Sequence, residues 1–425
     1  MSGRPEPAPA PAPPADNPTS AIPATASAAL LSATHAEVAT PAASGAFTPA
    51  NRAISVEETG AWITTVQLPS GLVPWYRGGH GDPWNHVEAT MALAAAGKWR
   101  NVELAFDWLA ANQLPDGSWC TFYSPDGVLE PRRDPNVCAY LATGAWWCYQ
   151  LGAGREFLEA LWPVIDKAVA WCLRYQLPGG EMVWSVGPDA EPGSFALLSA
   201  SSSFQHSMRN ATLVAELLGH ERPHWAAAAA RTSRAVRRGA LGGAIAFAPK
   251  RRWAMDWYYP VLTGAVAGEE AQERLLGRWS EFVEEGLGVR CVSDRFWVTA
   301  AETAECAMAA AIAGLSDEAG SLLSWVDHLR DVGGAYWTGC AHPQCTRYPG
   351  GQRSTYSSAA VIIADHVVNG LSEASAAFLS LPPLSPITTP SQLSTPSHIE
   401  HGRHLQRPSH PFQLTAQADV GPAWR

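Results

Sequence analysis

Ionisable and hydrogen-bonding residues recur at the start of six runs of small apolar residues, about 50 residues apart. The first run, residues 82–97, begins with acids six residues apart. An apolar run has no need of such groups, whereas proton transfer and ligand binding do need them. Each could also cap a helix or join a buried polar network. The residues that we predict to contact a substrate are Asp82, His86, Glu88, His206, Arg209, Trp257, Tyr258, Tyr259, Arg353 and Tyr356.

Asp256 lies directly before three aromatic residues in the stretch RWAMDWYYP. Burial among aromatic rings raises a carboxyl pKa, so this residue could donate a proton at neutral pH. The neighbouring ring faces could stabilise a developing carbocation. Asp256 could equally be a helix cap. The residues that we predict to be catalytic are Asp256, Asp134, Glu302 and Glu305.

Two further groups could bind ligands of other kinds. The planar guanidinium groups of Arg209 and Arg353 suit the oxygens of a diphosphate. The stretch CAHPQC brings Cys340, His342 and Cys345 close together in sequence. Zinc takes four protein ligands in structural sites and three with a water in catalytic ones, and no second half of such a site is visible. We therefore predict no metal and no identifiable cofactor, and keep these three residues as the candidate zinc ligands.

Composition limits where these residues can lie. Residues 1–51 are rich in Ala and Pro and residues 373–425 in Ser and Pro, so we predict disordered tails around one domain at 52–372.

A net charge of −10 without a basic run argues against nucleic-acid binding. The absence of a signal-like start and of a long apolar run predicts a cytoplasmic protein without a membrane span. Eight scattered cysteines suggest reduced thiols and no structural disulfide.

The six runs, among them 82–97 and 134–152, read as helices that are buried on nearly all sides, because small apolar residues cover most of their circumference. Segments such as 100–113, 160–176 and 271–286, which lie between them, are amphipathic with helical spacing. An inner and an outer set of six predict an all-α (α/α)6 barrel, or toroid. An open solenoid would leave its inner helices one polar face, whereas these are polar mainly at their N-terminal ends.

A Gln-Leu-Pro-x-Gly sequence followed by Trp occurs three times, as QLPSGLVPW (67–75), QLPDGSW (113–119) and QLPGGEMVW (176–184). This pattern resembles the QW repeats of squalene-hopene cyclases and related prenyltransferase-like α/α toroids. In that family Gln and Trp tie neighbouring helices together. The resemblance implies a toroid with a central cavity for an isoprenoid-type substrate.

The sequence departs from that family's catalytic motifs. It contains no Asp-x-Asp-Asp proton donor and no Asp-Asp-x-x-Asp run for magnesium diphosphate. We expect a prenyltransferase- or terpene-cyclase-like protein that acts on an isoprenoid or another small apolar substrate, with catalysis itself left open. One alternative is a glycoside-processing (α/α)6 enzyme with paired carboxylates and with some of its 19 tryptophans as sugar platforms. Another is a toroid that binds a lipid without catalysis.

Overall fold

The computed structural model describes residues 54–243 and 247–379, so the predicted tail 1–51, and residues 380–425 of the predicted tail 373–425, lie outside the described residues. Its helices alternate between an inner and an outer layer. In chain order they are α1 (Val56–Val66), α2 (Pro83–Ala95), α3 (Trp99–Asn112), α4 (Pro135–Ala139), α5 (Leu141–Cys148), α6 (Arg155–Cys172), α7 (Leu198–Leu218), α8 (Pro223–Ala240), α9 (Ala254–Leu262), α10 (Glu269–Leu276), α11 (Trp279–Phe282), α12 (Ala300–Ile312), α13 (Ser316–Trp325), α14 (Thr355–Asn369) and α15 (Ala376–Leu379).

The inner helices form a closed ring. Each inner helix contacts the next in the order α2, α5, α7, α9, α12 and α14, and α14 returns to α2. The closure confirms the predicted (α/α)6 barrel over the open solenoid. The inner helices are buried along most of their length, as their small apolar residues predict, and the outer helices bury one face.

Short strands lie in the loops that lead from outer to inner helices, at the N-terminal ends of the inner helices. The strands are β1 (Phe122–Ser124), β2 (Gly127–Glu130), β3 (Val283–Glu284), β4 (Gly288–Arg290), β5 (Trp297–Thr299), β6 (Gly339–Ala341) and β7 (Thr346–Arg347). The first two pair as a hairpin, and the other five form an antiparallel sheet in sequence order. β5 runs directly into α12, so this sheet holds the start of an inner helix.

Two of the predicted helices are interrupted. The inner run at 134–152 is split at Tyr140 and ends in a π-helical turn, Tyr149–Ala153. The outer run at 271–286 becomes two short helices, α10 and α11, followed by β3. Gly277, which follows α10, has a low helix propensity, and the chain turns there.

The Gln of each Gln-Leu-Pro-x-Gly loop connects two outer helices. In each case the side-chain NH2 donates to a backbone carbonyl of the next outer helix. The acceptors are Asn101 O, Val164 O and Ala228 O, each at 2.9 Å, for Gln67, Gln113 and Gln176 respectively. Gln67 and Gln113 also donate to the Gly carbonyl of their own loop. The repeat is therefore a joint between successive modules.

The Gly of the same loop rests on the backbone of the next outer helix. Gly117 has φ +102°, and a Cβ there would lie 2.3 Å from the carbonyl oxygen of Lys167, far inside van der Waals contact. Gly71 and Gly180 make the same approach to Leu104 and Arg231. Only Gly allows both this backbone conformation and this distance. The repeated motif is thus explained by helix docking.

Candidate active site

One cavity lies on the barrel axis, and all six inner helices line it in the same register. When α4 and α5, which meet at Tyr140, are counted as one inner helix, the residue six positions after the N-cap residue of each inner helix faces this cavity. We call this set the cavity ring; it comprises Glu88, Tyr140, Ser203, Tyr259, Glu305 and Ala360. Because α14 packs between α2 and α12, the two glutamates flank Ala360. Two carboxylates therefore face one narrow space.

Glu305 is held by two tyrosines of α9. The Tyr259 hydroxyl donates to Oε1 at 2.9 Å, and the Tyr258 hydroxyl donates to Oε2. Hydrogen bonds to a carboxylate favour its ionised form and fix its orientation. The Tyr258 side chain is fully buried, and burial together with the Glu305 charge raises the pKa of its hydroxyl, so this group stays a donor. The arrangement suits a carboxylate that accepts a proton or attacks a substrate.

Aromatic rings form one wall and the floor of the cavity. Trp84 and Tyr140 are stacked with ring centroids 3.6 Å apart and planes 11° apart. At the floor, Phe378 from the C-terminal helix α15 stacks on His206 at 4.8 Å. The segment at 373–379 therefore packs against the inner helices. His206 lies nine residues after the N-cap residue of α7, about one helical turn deeper than the residues six positions after each N-cap. We infer that a substrate enters from the other end, past the N-terminal ends of the inner helices.

Two of the predicted carboxylates cap inner helices. Asp82 accepts from the Asn85 amide at 3.0 Å, and its other oxygen accepts from the indole of Trp75 and the side chain of Asn85. Asp134 accepts from the backbone amides of Asn136 and Val137 at 2.8 and 3.3 Å. Burial nevertheless raises the pKa of Asp134 to about 7.

Asp256 lies in the first turn of α9 and is not among the residues that line the axial cavity. Burial raises its pKa to about 6, while Arg274 and three further cationic side chains oppose the shift. Its neighbour Trp257 faces the outer layer: the indole donates to Arg274 O at 2.9 Å and stacks on Phe282. Glu302 accepts from the Thr299 hydroxyl at the start of α12. The predicted catalytic carboxylates are thus spread over several places, and Glu305 is the one that lines the cavity.

The two predicted histidines are both neutral at pH 7. The backbone amide of Val73 donates to His86 Nδ1 at 2.9 Å, and His86 Nε2 donates to Ala105 O, so His86 joins α2 to its surroundings. His206 lines the cavity floor, and its Nε2 donates to Ala377 O at 2.9 Å. Burial lowers the pKa of His86 to about 4 and that of His206 to about 3. Burial also lowers the pKa of Arg209 to about 10.

A second, open groove of about 500 Å³ lies on the surface, on the barrel face that carries the long loops. Its lining combines aromatic rings with polar side chains: Trp62, Tyr76, Arg77, Pro349, Gly350, Gln352 and Arg353. Arg353 forms an ion pair with Asp331 and lies over the Trp337 ring. Beside Tyr76, Trp75 packs against Tyr356 at the start of α14. The groove thus adjoins the loops around the cavity entrance.

Several residues that line the cavity were not predicted from the sequence, among them Trp84, Tyr140, Ser203 and Met308. Two of the six positions of the cavity ring could have been found from the sequence. Glu88 and Tyr140 follow the capping aspartates Asp82 and Asp134 by six residues. For α7, α9, α12 and α14 the sequence does not mark the N-cap residue, because that residue makes no side-chain capping hydrogen bond.

The predicted absence of disulfides is wrong for one pair, since Cys340 and Cys345 form a disulfide. The β6–β7 turn brings their Cα atoms to 4.8 Å, within the range that a disulfide spans. The other cysteines of the described residues are buried. The imidazole near these two sulfurs is that of His328, whereas His342 packs on Phe296.

The barrel resembles those of sugar-processing enzymes. Its fold matches a D-mannose isomerase with a TM-score of 0.57 at 11% identity, covering 74% of this chain and 96% of that one. It matches the GH63 mannosylglycerate hydrolase from Thermus thermophilus, solved with glucose, with a TM-score of 0.55 at 12% identity, over 73% and 99%. A glycosidase gives 0.57 at 15%, over 74% and 96%. At these identities the likeness defines the fold, an (α/α)6 barrel of the glycosidase type.

The sequence itself has a much nearer relative. It is 41% identical over 326 residues to the MMP endo-(1,4)-3-O-methyl-alpha-D-mannosidase of Mycolicibacterium hassiacum, covering 77% of this chain and 88% of that protein. A scan against models of protein families finds no match. The chain belongs to the family of this mannosidase.

This kinship corrects the expected prenyltransferase or cyclase relationship, the isoprenoid substrate and the diphosphate role of Arg209 and Arg353. The Gln-Leu-Pro-x-Gly loops suggested the wrong substrate class. Their Gln and Gly serve the packing of outer helices, which does not depend on what the cavity binds. The glycoside-processing alternative is the better supported one. Among the described residues, no helix is long and apolar enough to cross a membrane.

Proposed function

We propose that this protein is an endo-acting glycoside hydrolase that cleaves internal α-(1,4) linkages in chains of 3-O-methyl-D-mannose. The observation that carries the proposal is the 41% identity over 326 residues to an endo-(1,4)-3-O-methyl-α-D-mannosidase. The aligned length is close to that of the whole barrel, so the likeness is not confined to one part of the fold. The substrate of the relative is therefore the first to test on this chain.

The cavity ring supports hydrolysis by a pair of carboxyl groups. One group protonates the departing glycosidic oxygen, and the other activates water or attacks the anomeric carbon. We assign the second role to Glu305, because the hydroxyls of Tyr258 and Tyr259 stabilise its ionised form. We assign the proton donor role to Glu88, the other carboxyl side chain of the ring.

The aromatic wall supports a sugar that is partly apolar. A 3-O-methyl group removes a hydroxyl donor and adds a methyl, so the substrate gains from apolar contact. The stacked Trp84 and Tyr140 rings offer such a surface beside Glu88. Ser203 and Thr263 supply hydroxyls for the remaining polar groups of the sugar. This mixture of aromatic and sparse polar contacts is typical of small-molecule sites.

Endo cleavage requires that the chain continue beyond the sugars at the cleavage point. The axial cavity has a floor formed by Phe378 and His206, so a polymer cannot pass through the barrel. The chain must instead extend across the loop face. We assign it to the open groove between Trp62, Tyr76 and Gln352, which adjoins the entrance through Trp75 and Tyr356.

The test is product analysis by mass spectrometry on purified protein. The substrates are α-(1,4)-linked 3-O-methylmannose oligosaccharides of defined length and unmethylated α-(1,4)-mannose oligosaccharides of equal length. We expect mid-chain fragments from the methylated series and no products from Glu305→Gln. Glu216→Gln, a carboxylate change on α7 outside the cavity, is the control that should behave like the wild type. Release of single terminal sugars, or no turnover of either series, would contradict the proposal.

A further inference from the structure

A cluster of metal-ligating side chains lies apart from the cavity, in the loop sheet. A ring nitrogen of His328 and the sulfurs of Cys340 and Cys345 lie within 4.8 Å of one another. They come from three elements: the 3-10 turn Val326–Leu329, strand β6 and the turn between β6 and β7. Ligand atoms around tetrahedral zinc lie roughly 3.3–3.8 Å apart, given zinc–sulfur and zinc–nitrogen bonds of about 2.3 and 2.0 Å. Small movements of the three side chains would therefore bring their ligand atoms to the separations found around a zinc ion.

The hydrogen bonds of His328 fix which nitrogen faces the sulfurs. Nε2 lies 2.8 Å from the carbonyl oxygen of Leu287, which can only accept, so Nε2 carries the hydrogen. Nδ1 then presents a lone pair to the sulfur of Cys345 at 3.5 Å. A metal-ligating histidine usually donates its other nitrogen to a carbonyl or carboxylate in this way.

A disulfide cannot donate to that lone pair. Disulfide sulfur has no hydrogen, so the contact from His328 Nδ1 to Cys345 is not a hydrogen bond in the oxidised state. A thiol hydrogen on Cys345, or a metal ion, would interact with the lone pair of His328 Nδ1. The local geometry of His328 therefore fits the reduced cluster better than the oxidised one.

The backbone holds the ligands in place independently of any ion. β6 pairs with β5 through Cys340 and Val298, and with β7 through Cys340 and Arg347. Arg347 in turn donates to the carbonyl of His328 at 2.9 Å, which ties the 3-10 turn to the hairpin. Cys340 is fully buried. Ligands that are held in this way lose little freedom when they bind a metal.

We propose that His328, Cys340 and Cys345 bind one Zn²⁺ when the cysteines are reduced, with water as the fourth ligand. The disulfide and the zinc complex exclude each other. A phosphine supplies two electrons to the disulfide and is oxidised to the phosphine oxide, while one water supplies the oxygen of that oxide and the two protons, which yields two thiols. Zinc then displaces both thiol protons to solvent and binds the two thiolates. His342, which the sequence pattern suggested, is not a ligand, because its ring packs on Phe296 and lies 3.9 Å from Glu284.

Bound zinc would join the β6–β7 hairpin to the 3-10 turn, whereas the disulfide joins two residues of the hairpin itself. β6 is hydrogen-bonded to β5, and β5 leads directly into α12, which carries Glu305. Joining the hairpin to the 3-10 turn thus supports the start of a cavity-lining helix. The inference does not rest on the proposed substrate.

The experiment measures zinc content by inductively coupled plasma mass spectrometry on the tag-free full chain. The protein is reduced with a phosphine, incubated with Zn²⁺ and desalted without oxygen. We expect about one zinc per chain in the wild type, less than a tenth of that in His328→Ala and Cys345→Ser, and full binding in His342→Ala. Protein oxidised before loading should bind none. His342→Ala is the matched control, since it removes a neighbouring imidazole from the same hairpin.

Cobalt provides a measurement that needs no variant. Co²⁺ added to reduced wild-type protein should give the thiolate charge-transfer and tetrahedral ligand-field bands, and Zn²⁺ should abolish them. The proposal is overturned if reduced wild-type protein retains no zinc and gives no such bands. It is also overturned if His342→Ala loses zinc as His328→Ala does.

Discussion

Two rings of side chains lie on the same six inner helices, six residues apart, and the barrel uses them differently. The first ring consists of the N-cap residues, including Asp82 and Asp134, whose carboxylates accept from backbone amides of their own helices. The second is the cavity ring, in which Glu88 and Glu305 face open space. Six residues along a helix correspond to about 9 Å.

The difference has a simple physical origin. The first four amides of a helix lack partners within it, so a carboxylate at the N-cap satisfies a structural need. From the fifth residue onward the amides are bonded inside the helix. A carboxylate at the sixth position has no capping role, and its burial costs free energy that must be offset by other donors, as Tyr258 and Tyr259 do for Glu305. We therefore propose that the position of an acid along the inner helix distinguishes a helix cap from a residue that acts on the substrate.

The largest expected effect compares the two rings directly. Glu88→Gln and Glu305→Gln should each lower kcat/KM by about 10²–10⁴-fold, the usual contribution of general acid–base groups, with little change in Tm. Asp82→Ala should lower the free energy of unfolding by about 1–2 kcal/mol and change kcat/KM of the folded enzyme less than about tenfold. Steady-state kinetics on the methylated oligosaccharides and thermal unfolding measure both. An equally inactive, stably folded Asp82→Ala would remove the distinction.

The next largest effect should be a pH dependence of stability that comes from Asp134, an N-cap residue of the first ring. The pKa of Asp134 is about 7 in the folded protein and about 3.9 in the unfolded chain, so the folded state binds the proton more tightly. Stability relative to Asp134→Asn should therefore be greatest below about pH 4 and fall by a few kcal/mol as pH rises to about 7, at roughly 1.4 kcal/mol per pKa unit. Above about pH 7 the difference should be constant.

Denaturant unfolding of both proteins at several pH values tests this expectation. Asn retains the side-chain oxygen that caps α4, so the comparison isolates the proton. Asp82 and Arg132 act electrostatically on Asp134, and both are retained in the variant. A stability difference that is flat from about pH 4 to about pH 7 would show that Asp134 ionises normally.

Much of the barrel could be predicted from the sequence, because it depends on local pattern. Buried Ala-rich runs alternate with amphipathic ones, and the helix-start residues Asp82 and Asp134 do cap helices. The five-stranded sheet depends on contacts between distant loops, such as that of Val298 with Cys340. No short-range spacing encodes those pairings.

The candidate site was harder to predict for a related reason. Glu88 and Glu305 are site candidates from the sequence because they are polar residues in apolar runs. His86 and Trp257 are equally good candidates, yet His86 bonds to backbone groups and Trp257 faces the outer layer. Their sequence environments look alike, and only the direction of each side chain distinguishes them. The substrate class was misread because the Gln and Gly of the repeated loops report on docking between helices, not on the cavity.

A smaller effect should come from the tyrosines that hold Glu305. Tyr259→Phe removes a 2.9 Å donor, and hydrogen bonds to charged groups contribute about 1.5–3 kcal/mol. We expect a fall in kcat/KM of about 10–100-fold, with the acid limb of the pH–activity profile moved to higher pH, because the ionised carboxylate loses a stabilising partner. Tyr123→Phe, which removes a buried hydroxyl elsewhere, is the control. A reduced rate with an unmoved profile would assign Tyr259 to packing alone.

The smallest effect should lie in the groove, outside both rings. Trp62→Ala removes an aromatic surface from the proposed path of the chain, so KM should rise several-fold for long oligosaccharides and stay constant for the shortest ones that are cleaved. Trp146→Ala is the matched control, a half-buried tryptophan on α5 that does not line the groove. If Trp62→Ala changed KM equally at every length, the groove would not hold the chain, and the extended substrate would have to leave the entrance in another direction. Such a result would leave the proposed carboxylate pair in the cavity ring intact, because we assign those side chains to the sugars at the cleavage point.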